Sequence, residues 1–353
     1  MDYYNGIDEI IENRRQHVNF SPSAYLTIQE DIRNFDMSGK ITKTGFLNTI
    51  FQNYYENADA SLSIREKTQT DNLINIYSKS LDRNKEFINT YVKLYVSKLK
   101  NKMKSYQSGD SDTSEKLRLD KQTQMILCSN QKLGSNEYEG SVGKYLKAIY
   151  EEYALKLPFE REQIYFKETY NKLIDSIANK KLLRITLYSK KNYYVIPYKI
   201  IQNKTKTHNY IVGYSYEDDD KYNKKTGSFR LSNIAHIQTH GKYNIKDVEI
   251  KRLEYELHAR GAEFMTGETK SIKVRFSDYG IESFKRQIYM RPNEYEIDSK
   301  DNHIYNFSCT STQAIYYFYK FGKDVEILEP LDLRTIFKEK YKDAYEIYKD
   351  DEE

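Results

Sequence analysis

The segment VNFSPSAYLTI, Val18 to Ile28, is matched without a gap by LRLDKQTQMIL, Leu117 to Leu127, at a constant offset of 99 positions. In each, two apolar residues alternate as in a short half-buried strand (Val18 and Phe20; Leu117 and Leu119), and a helical apolar spacing follows at once. Leu26 and Ile28 correspond to Met125 and Leu127. The same offset aligns FLNTIFQNYY, from Phe46, with YLKAIYEEYA, from Tyr145, so that Leu47/Leu146, Ile50/Ile149, Phe51/Tyr150 and Tyr54/Tyr153 form equivalent amphipathic faces. Thr42 and Ser141 are equivalent N-cap residues after glycine-containing turns. Each unit therefore reads strand, helix, turn, helix, and internal repetition of this kind is the first feature a fold must satisfy.

This arrangement resembles the ribbon-helix-helix fold, in which two copies pair their strands into one antiparallel ribbon. Two copies in one chain imply a ribbon completed within that chain. If Val18, Phe20, Leu117 and Leu119 point inward, strand alternation turns Arg15, His17, Asn19, Lys116 and Arg118 outward. These are side chains that meet bases or phosphates, and a two-stranded ribbon fits the major groove of duplex DNA. The alternative is a packing module whose exposed strands contact nothing. Between the units, a helical stretch over Leu73 to Tyr106 is expected to pack one face, including Tyr91 and Leu94, before a polar loop at Ser108–Glu115. Within it, Asn89 to Gly109 carries five lysines and no acid, a pattern of either a phosphate-facing or a solvated surface.

Composition sets wider limits. The 353 residues favour two or three domains, and Lys+Arg 56 against Asp+Glu 52 is too mild a balance to name a partner. With two cysteines there is no disulfide framework, and the absence of a long apolar run or of a leader-like N-terminus makes a cytoplasmic protein without a membrane partner the expectation. The chain has 35 Tyr and no Trp, so its aromatic surfaces are largely phenolic.

Beyond a connector helix containing Ile164, Phe166, Tyr170, Leu173, Ile174 and Ile177, the period changes to strands: LLRITLYS, NYYVIPYKII, NYIVGYSYE and SFRLSNIAHIQTH. NYIVGY, Asn209 to Tyr214, with Pro197 before it and SFRLSNI after it, resembles a WYL domain, and FGKDVEILEP, Phe321 to Pro330, resembles the domain that follows WYL. Tyr210 and Ile211 hold the family's second and third signature positions, Asn209 stands at the tryptophan position, and Arg230 holds the family arginine, while Asn233 replaces its next basic residue. Together with the tandem front end, the chain resembles the WYL accessory proteins of type VI-D CRISPR systems. That resemblance implies an Sm-like, SH3-type β-barrel that binds nucleic acid or a nucleotide, commonly within a homodimer. Tyr188, Ser189, Lys199, Tyr210 and Arg230 are the expected contacts for RNA, since guanidinium forks bind phosphate and phenol rings stack on unpaired bases.

From Ser271 the order strand, helix, strand, strand, helix, strand reads as a ferredoxin-like domain with a terminal helix. Its second helix, Thr312 to Phe321, is apolar nearly all round, which predicts cover from a second subunit. The expected architecture is α+β and multidomain: a tandem ribbon-helix-helix domain over 1–156, a connector over 157–181, a WYL β-barrel over 182–245 and a ferredoxin-like dimerisation domain over 246–353.

No catalytic constellation emerges. His236 and His240 lie roughly 13 Å apart along a strand, too far to share a metal ion, and Arg252 with His258 is a spacing that arises by chance in a basic chain. No P-loop, dinucleotide-binding glycine motif or nucleophile elbow occurs. The expectation is a non-enzymatic protein without cofactor or metal, whose partners are single-stranded RNA, a CRISPR effector ribonuclease whose activity it enhances in antiviral defence, and a second copy of itself. The alternative is a ligand-responsive transcriptional regulator bound to duplex DNA.

Overall fold

The structure, a computed structural model, describes residues 14–57, 90, 91, 94, 113–129, 141–217 and 223–349. The expectations for the N-terminal segment and for most of the lysine-rich stretch lie outside these residues. Tyr91 and Leu94 are described and are exposed, at 49% and 60%, so these two do not belong to the packed face expected of them. The chain divides into two compact units, Met1–Glu168 and Thr169–Glu353.

In the first unit, β1 (Arg15–Phe20) leads into α1 (Pro22–Phe35) and α2 (43–57), and β2 (Thr113–Arg118) leads into α3 (Lys121–Ser129) and α4 (Val142–Ala154). β1 and β2 pair antiparallel within the one chain, from Arg15 opposite Arg118 to Phe20 opposite Thr113. Thr113 to Glu115, read from sequence as loop, are thus strand. Their polar side chains say turn, but the ladder to β1 supplies backbone partners that local propensity does not register.

The repeat extends to its smallest parts. Ser21 caps α1 at Ala24 N–H, Thr42 caps α2 at Gly45 N–H, Asp120 accepts from Thr123 N–H at the start of α3, and Ser141 caps α4 at Lys144 N–H. Ser21 and Asp120 are 99 positions apart, as are Thr42 and Ser141. α3 and the first nine residues of α1 bury the same positions, and both leave their equivalent apolar residue, Leu26 or Met125, 65% exposed. The core between the two repeats, inside this first unit, joins Val18, Phe20, Leu117 and Leu119 to Phe46, Ile50, Phe51, Tyr145, Ile149, Tyr150 and Tyr153. Burying eleven such side chains against one another is the dominant stabilising term for this unit.

The connector is two helices, not one: α5 (Pro158–Tyr165) breaks at Phe166 before α6 (Lys167–Ala178). Ile164, Tyr165 and Phe166 pack on the first core, where Tyr165 stacks on Phe46 with centroids 4.7 Å apart.

The second unit is α+β, with two antiparallel sheets. β3 (Lys181–Leu187), β4 (Asn192–Gln202), β5 (Asn209–Glu217), β6 (Lys225–Arg230) and β7 (Ile234–Lys242) form a sheet in the order β6-β5-β4-β3-β7. The expected closed barrel is not formed. β6 and β7 are the two edges and do not pair with each other; a 3-10 turn, Leu231–Asn233, carries the chain from one edge to the other. Alternation alone cannot distinguish an open from a closed sheet, since both have one buried face. Gly213 explains its own place in NYIVGY: a Cβ there would lie 2.0 Å from the Ile196 carbonyl oxygen, where β5 crosses the β4 bulge at Pro197–Lys199.

α7 (Asp247–Arg260), for which the sequence carried no expectation, lays Leu253 and Leu257 on Val212 and Tyr214. The remaining elements are β8 (Thr269–Phe276), α8 (Asp278–Arg286), β9 (Tyr295–Ile297), β10 (Ile304–Thr310), α9 (Ser311–Phe318), β11 (Val325–Glu329) and α10 (Leu331–Ile347), with sheet order β11-β8-β10-β9. Much of α9 is covered within its own chain. Tyr317 and Phe318 are fully buried by Phe276, Phe284 and Phe307 of their own chain, α10 adds Leu333 and Phe337, and of the helix's large apolar side chains Tyr316 stands exposed.

Candidate nucleic-acid interface

The ribbon brings all five of its sequence-predicted residues to one surface. Arg15, His17 and Asn19 of β1 alternate outward against buried Gln16, Val18 and Phe20, and Ser114, Lys116 and Arg118 of β2 are exposed in alternation with half-buried Thr113 and Glu115 and buried Leu117. The register sets Arg15 opposite Arg118, His17 opposite Lys116 and Asn19 opposite Ser114. Three permanent cations and no acid therefore occupy the outward positions. Glu115, whose alternation turns it away from that face, is neutralised by Lys43. The start of α4 is pressed against the ribbon, because a Cβ on Gly143 would lie 2.5 Å from the His17 carbonyl oxygen. Its first-turn N–H groups consequently lie beside the ribbon, in the position where helix termini favour anions.

The residues expected on the second unit are spread over its five-stranded sheet. Tyr210 and Arg230 are direct cross-strand neighbours on β5 and β6. Tyr210 is half-buried and packs with the α7 cluster. Lys199 is held by α7: its ammonium donates to both Glu254 carboxylate oxygens, at 2.7 and 2.9 Å, and lies 5.4 Å from the Tyr198 ring centroid. That pairing holds the Glu254 carboxyl below its usual range. Tyr188 and Ser189 are exposed in the β3–β4 turn, where the Tyr188 N–H donates to the Asn233 carbonyl, three residues beyond Arg230. Arg252 and His258 are both exposed on α7, about 120° apart around the helix, and do not converge.

Sequence reasoning passed over two groups here. His208, beside the signature segment, has its pKa pushed down to about 4, by burial first and by the Arg230 charge second. Its ring is therefore neutral near pH 7, and its Nδ1 is buried without a hydrogen-bond partner. Tyr194 and Tyr216 stack across β4 and β5 with centroids 5.2 Å apart, and His240 meets Tyr194 edge-on at 5.3 Å. The clue to both is a local excess of aromatic residues whose convergence depends on register rather than spacing. Among the described residues, no cluster of three or more His, Cys, Asp or Glu side chains could hold a metal ion, and no helix is long and apolar enough to cross a membrane.

The chain is similar over 96% of its length to the crystal structure of a CRISPR Cas-related protein, with 25% identity, 95% coverage of that chain and a TM-score of 0.71. Proteasome accessory factor B/C (PafBC) of Arthrobacter aurescens matches 64% of this chain and 35% of its own, at 13% identity and a TM-score of 0.30. No protein-family model and no curated protein matches the chain.

Proposed function

We propose that this chain is a CRISPR-associated accessory protein that binds single-stranded RNA without catalysing its cleavage and enhances an RNA-guided effector ribonuclease. The observation that carries the reading is the end-to-end likeness to a CRISPR Cas-related protein. The tandem front end reads as ribbon-helix-helix, the five-stranded sheet as a WYL module, and the β-α-β-β-α-β segment with strand order β11-β8-β10-β9 as ferredoxin-like. Cations, phenol rings and a neutral imidazole suit a flexible strand that offers phosphate and unpaired bases together.

Fluorescence anisotropy with a single-stranded RNA and a duplex DNA, each at two salt concentrations, tests the reading, because phosphate-driven affinity falls steeply with salt. RNA preference, with faster target cleavage when the protein is added to its cognate effector, is the expected result. Absence of RNA binding refutes it. A second reading, a ligand-responsive DNA-binding regulator, is favoured by one observation: the acid-free outward face of a two-stranded ribbon, a shape that enters the major groove. Preference for duplex DNA selects that reading.

A further inference from the structure

One row of side chains crosses the five-stranded sheet on the face that α7 covers only in part. Tyr216 is opposite Tyr194, Tyr194 opposite Arg184, and Arg184 opposite Gln238, so four strands, β5, β4, β3 and β7, each contribute one residue. Directly opposed residues share a face, which makes the row continuous over roughly 14 Å. The adjacent row, Ile196 opposite Tyr214, lies beneath α7, where the Tyr214 hydroxyl donates to the Glu249 carbonyl at 3.0 Å. One step outward, Tyr194 and Tyr216 are half-buried and do not join the α7 cluster, while Gln238 and His240 are exposed.

We infer that this row is a stacking platform for two or three unpaired bases of single-stranded RNA. Five observations converge on that occupant. The two phenol rings stack on one another, 20° from parallel, so they form a short aromatic column that an unpaired base extends by stacking on its outer ring. His240 stands across Tyr194 at 75° and bounds the platform on the β7 side. Arg184 supplies a guanidinium in the row itself, and Lys190 and Lys191, exposed in the β3–β4 turn, lie beyond its edge, so base-stacking and phosphate-binding groups occur together. No acid occupies the row. The Gln238 amide, between charged and aromatic neighbours, has the donor and acceptor that a ribose 2′-hydroxyl requires, which is the reason to name RNA rather than DNA. A duplex, whose bases are already stacked in pairs, would offer only its backbone to these rings. The inference deepens the RNA-binding reading and rests on it.

The test uses the full chain and a labelled oligoadenylate RNA carrying 2-aminopurine at one position. Wild-type protein is expected to bind with a change in 2-aminopurine emission as the base stacks. Replacing both rings by aliphatic bulk, Tyr194→Leu with Tyr216→Leu, is expected to weaken binding by about ten-fold or more and to abolish that change. The ring-preserving pair Tyr194→Phe with Tyr216→Phe keeps both to within about two-fold. His240→Ala, at an exposed position where folding is not at stake, is expected to weaken binding by about three-fold. A strand with abasic sites in place of adenines loses the distinction between the Leu and Phe variants, and a DNA strand of the same sequence binds about ten-fold more weakly. If wild-type protein binds RNA and the Leu and His240→Ala variants bind equally well, the platform is wrong while the RNA-binding reading stands. If wild-type protein binds no RNA, both fall. Equal affinity for the DNA strand overturns the assignment to RNA.

Discussion

The Glu151 carboxylate accepts from both the backbone N–H and the hydroxyl of Ser21, each at 2.7 Å, across 130 residues of sequence. The equivalent contact exists in the other half: Gln52 donates to the Asp120 carboxylate at 2.8 and 2.9 Å. Each unit's second helix thus holds the residue that caps the other unit's first helix, and capping and assembly are one set of bonds. Glu151→Ala is expected to lower stability by about 1–2 kcal/mol, and Asp120→Ala, which removes a cap and a cross-unit contact together, by a similar amount. Urea unfolding followed by tyrosine fluorescence reads both; unchanged midpoints would show that the caps act independently of assembly.

A second prediction concerns the buried pair Asp31 and Arg161, 2% and 8% exposed. Arg161 donates to both Asp31 oxygens, at 2.6 and 3.1 Å, and the Tyr153 hydroxyl donates to Asp31 at 2.7 Å. Although burial works against its charge, the hydrogen bond and charge of Asp31 hold the guanidinium above its usual pKa. Arg161→Met alone leaves a buried carboxylate unpaired and is expected to cost about 3–5 kcal/mol; adding Asp31→Leu restores most of that. A double variant no more stable than the single one would mean that the pair contributes more than mutual neutralisation.

Gly213 and Gly241 make a matched comparison. At Gly213 an added methyl meets Ile196 backbone, which cannot yield as a flexible side chain would, whereas at Gly241 nothing lies within 4 Å. Gly213→Ala is expected to destabilise the second unit by about 1–3 kcal/mol or more and Gly241→Ala by well under 1. Thermal melts of the two variants distinguish them directly.

His208 makes stability depend on pH. A histidine whose folded pKa is depressed contributes stability that is present above its unfolded pKa, near 6.5, and lost as pH falls through its folded pKa, about 4. Between those values the unfolded chain binds a proton that the folded chain resists. His208→Gln is expected to flatten the loss over this window by about 1–2 kcal/mol, a figure discounted for the partly exposed ring. Denaturation midpoints at pH 7 and pH 4.5 measure it, and parallel pH profiles for variant and wild type would exclude His208 as the source.

On the ribbon, Arg15 and Arg118 are cross-strand partners. If this face meets a phosphate backbone, each alanine substitution should lower the salt dependence of binding by about one counterion, and Arg15→Ala with Arg118→Ala should abolish duplex affinity while Arg230→Ala spares it. Retention of RNA binding by the ribbon variant, with its loss in Arg230→Ala, assigns the nucleic acid to the sheet. Unchanged affinity in every variant removes both surfaces as drawn.

The tandem repeat is legible in the chain because its signals are local: a cap, a strand of two apolar residues and a helical face recur together at one offset, as with Thr42 and Ser141. The strands and the β-α-β-β-α-β order are legible for the same reason. What stays hidden depends on partners far along the chain. β2 begins at Thr113 because β1 lies opposite, Lys199 is taken up by Glu254 of an unforeseen helix, and α9 finds its cover in Phe276 and Phe307. Whether a curled sheet closes is a matter of edge geometry between β6 and β7, and neither edge records it in its residues. The outward set on the ribbon is legible through alternation, whereas Tyr194 and Tyr216 are brought together by register between two strands.

Joining both ribbon strands in one polypeptide has a consequence for direction. Equivalent outward positions carry different residues: Arg15 corresponds to Ser114, His17 to Lys116 and Asn19 to Arg118. In a ribbon built from two identical chains, turning a bound polymer end for end restores every contact, and a substitution alters both halves at once. Here the halves diverge residue by residue, so the surface has a head and a tail, and a strand lying along it has one preferred polarity.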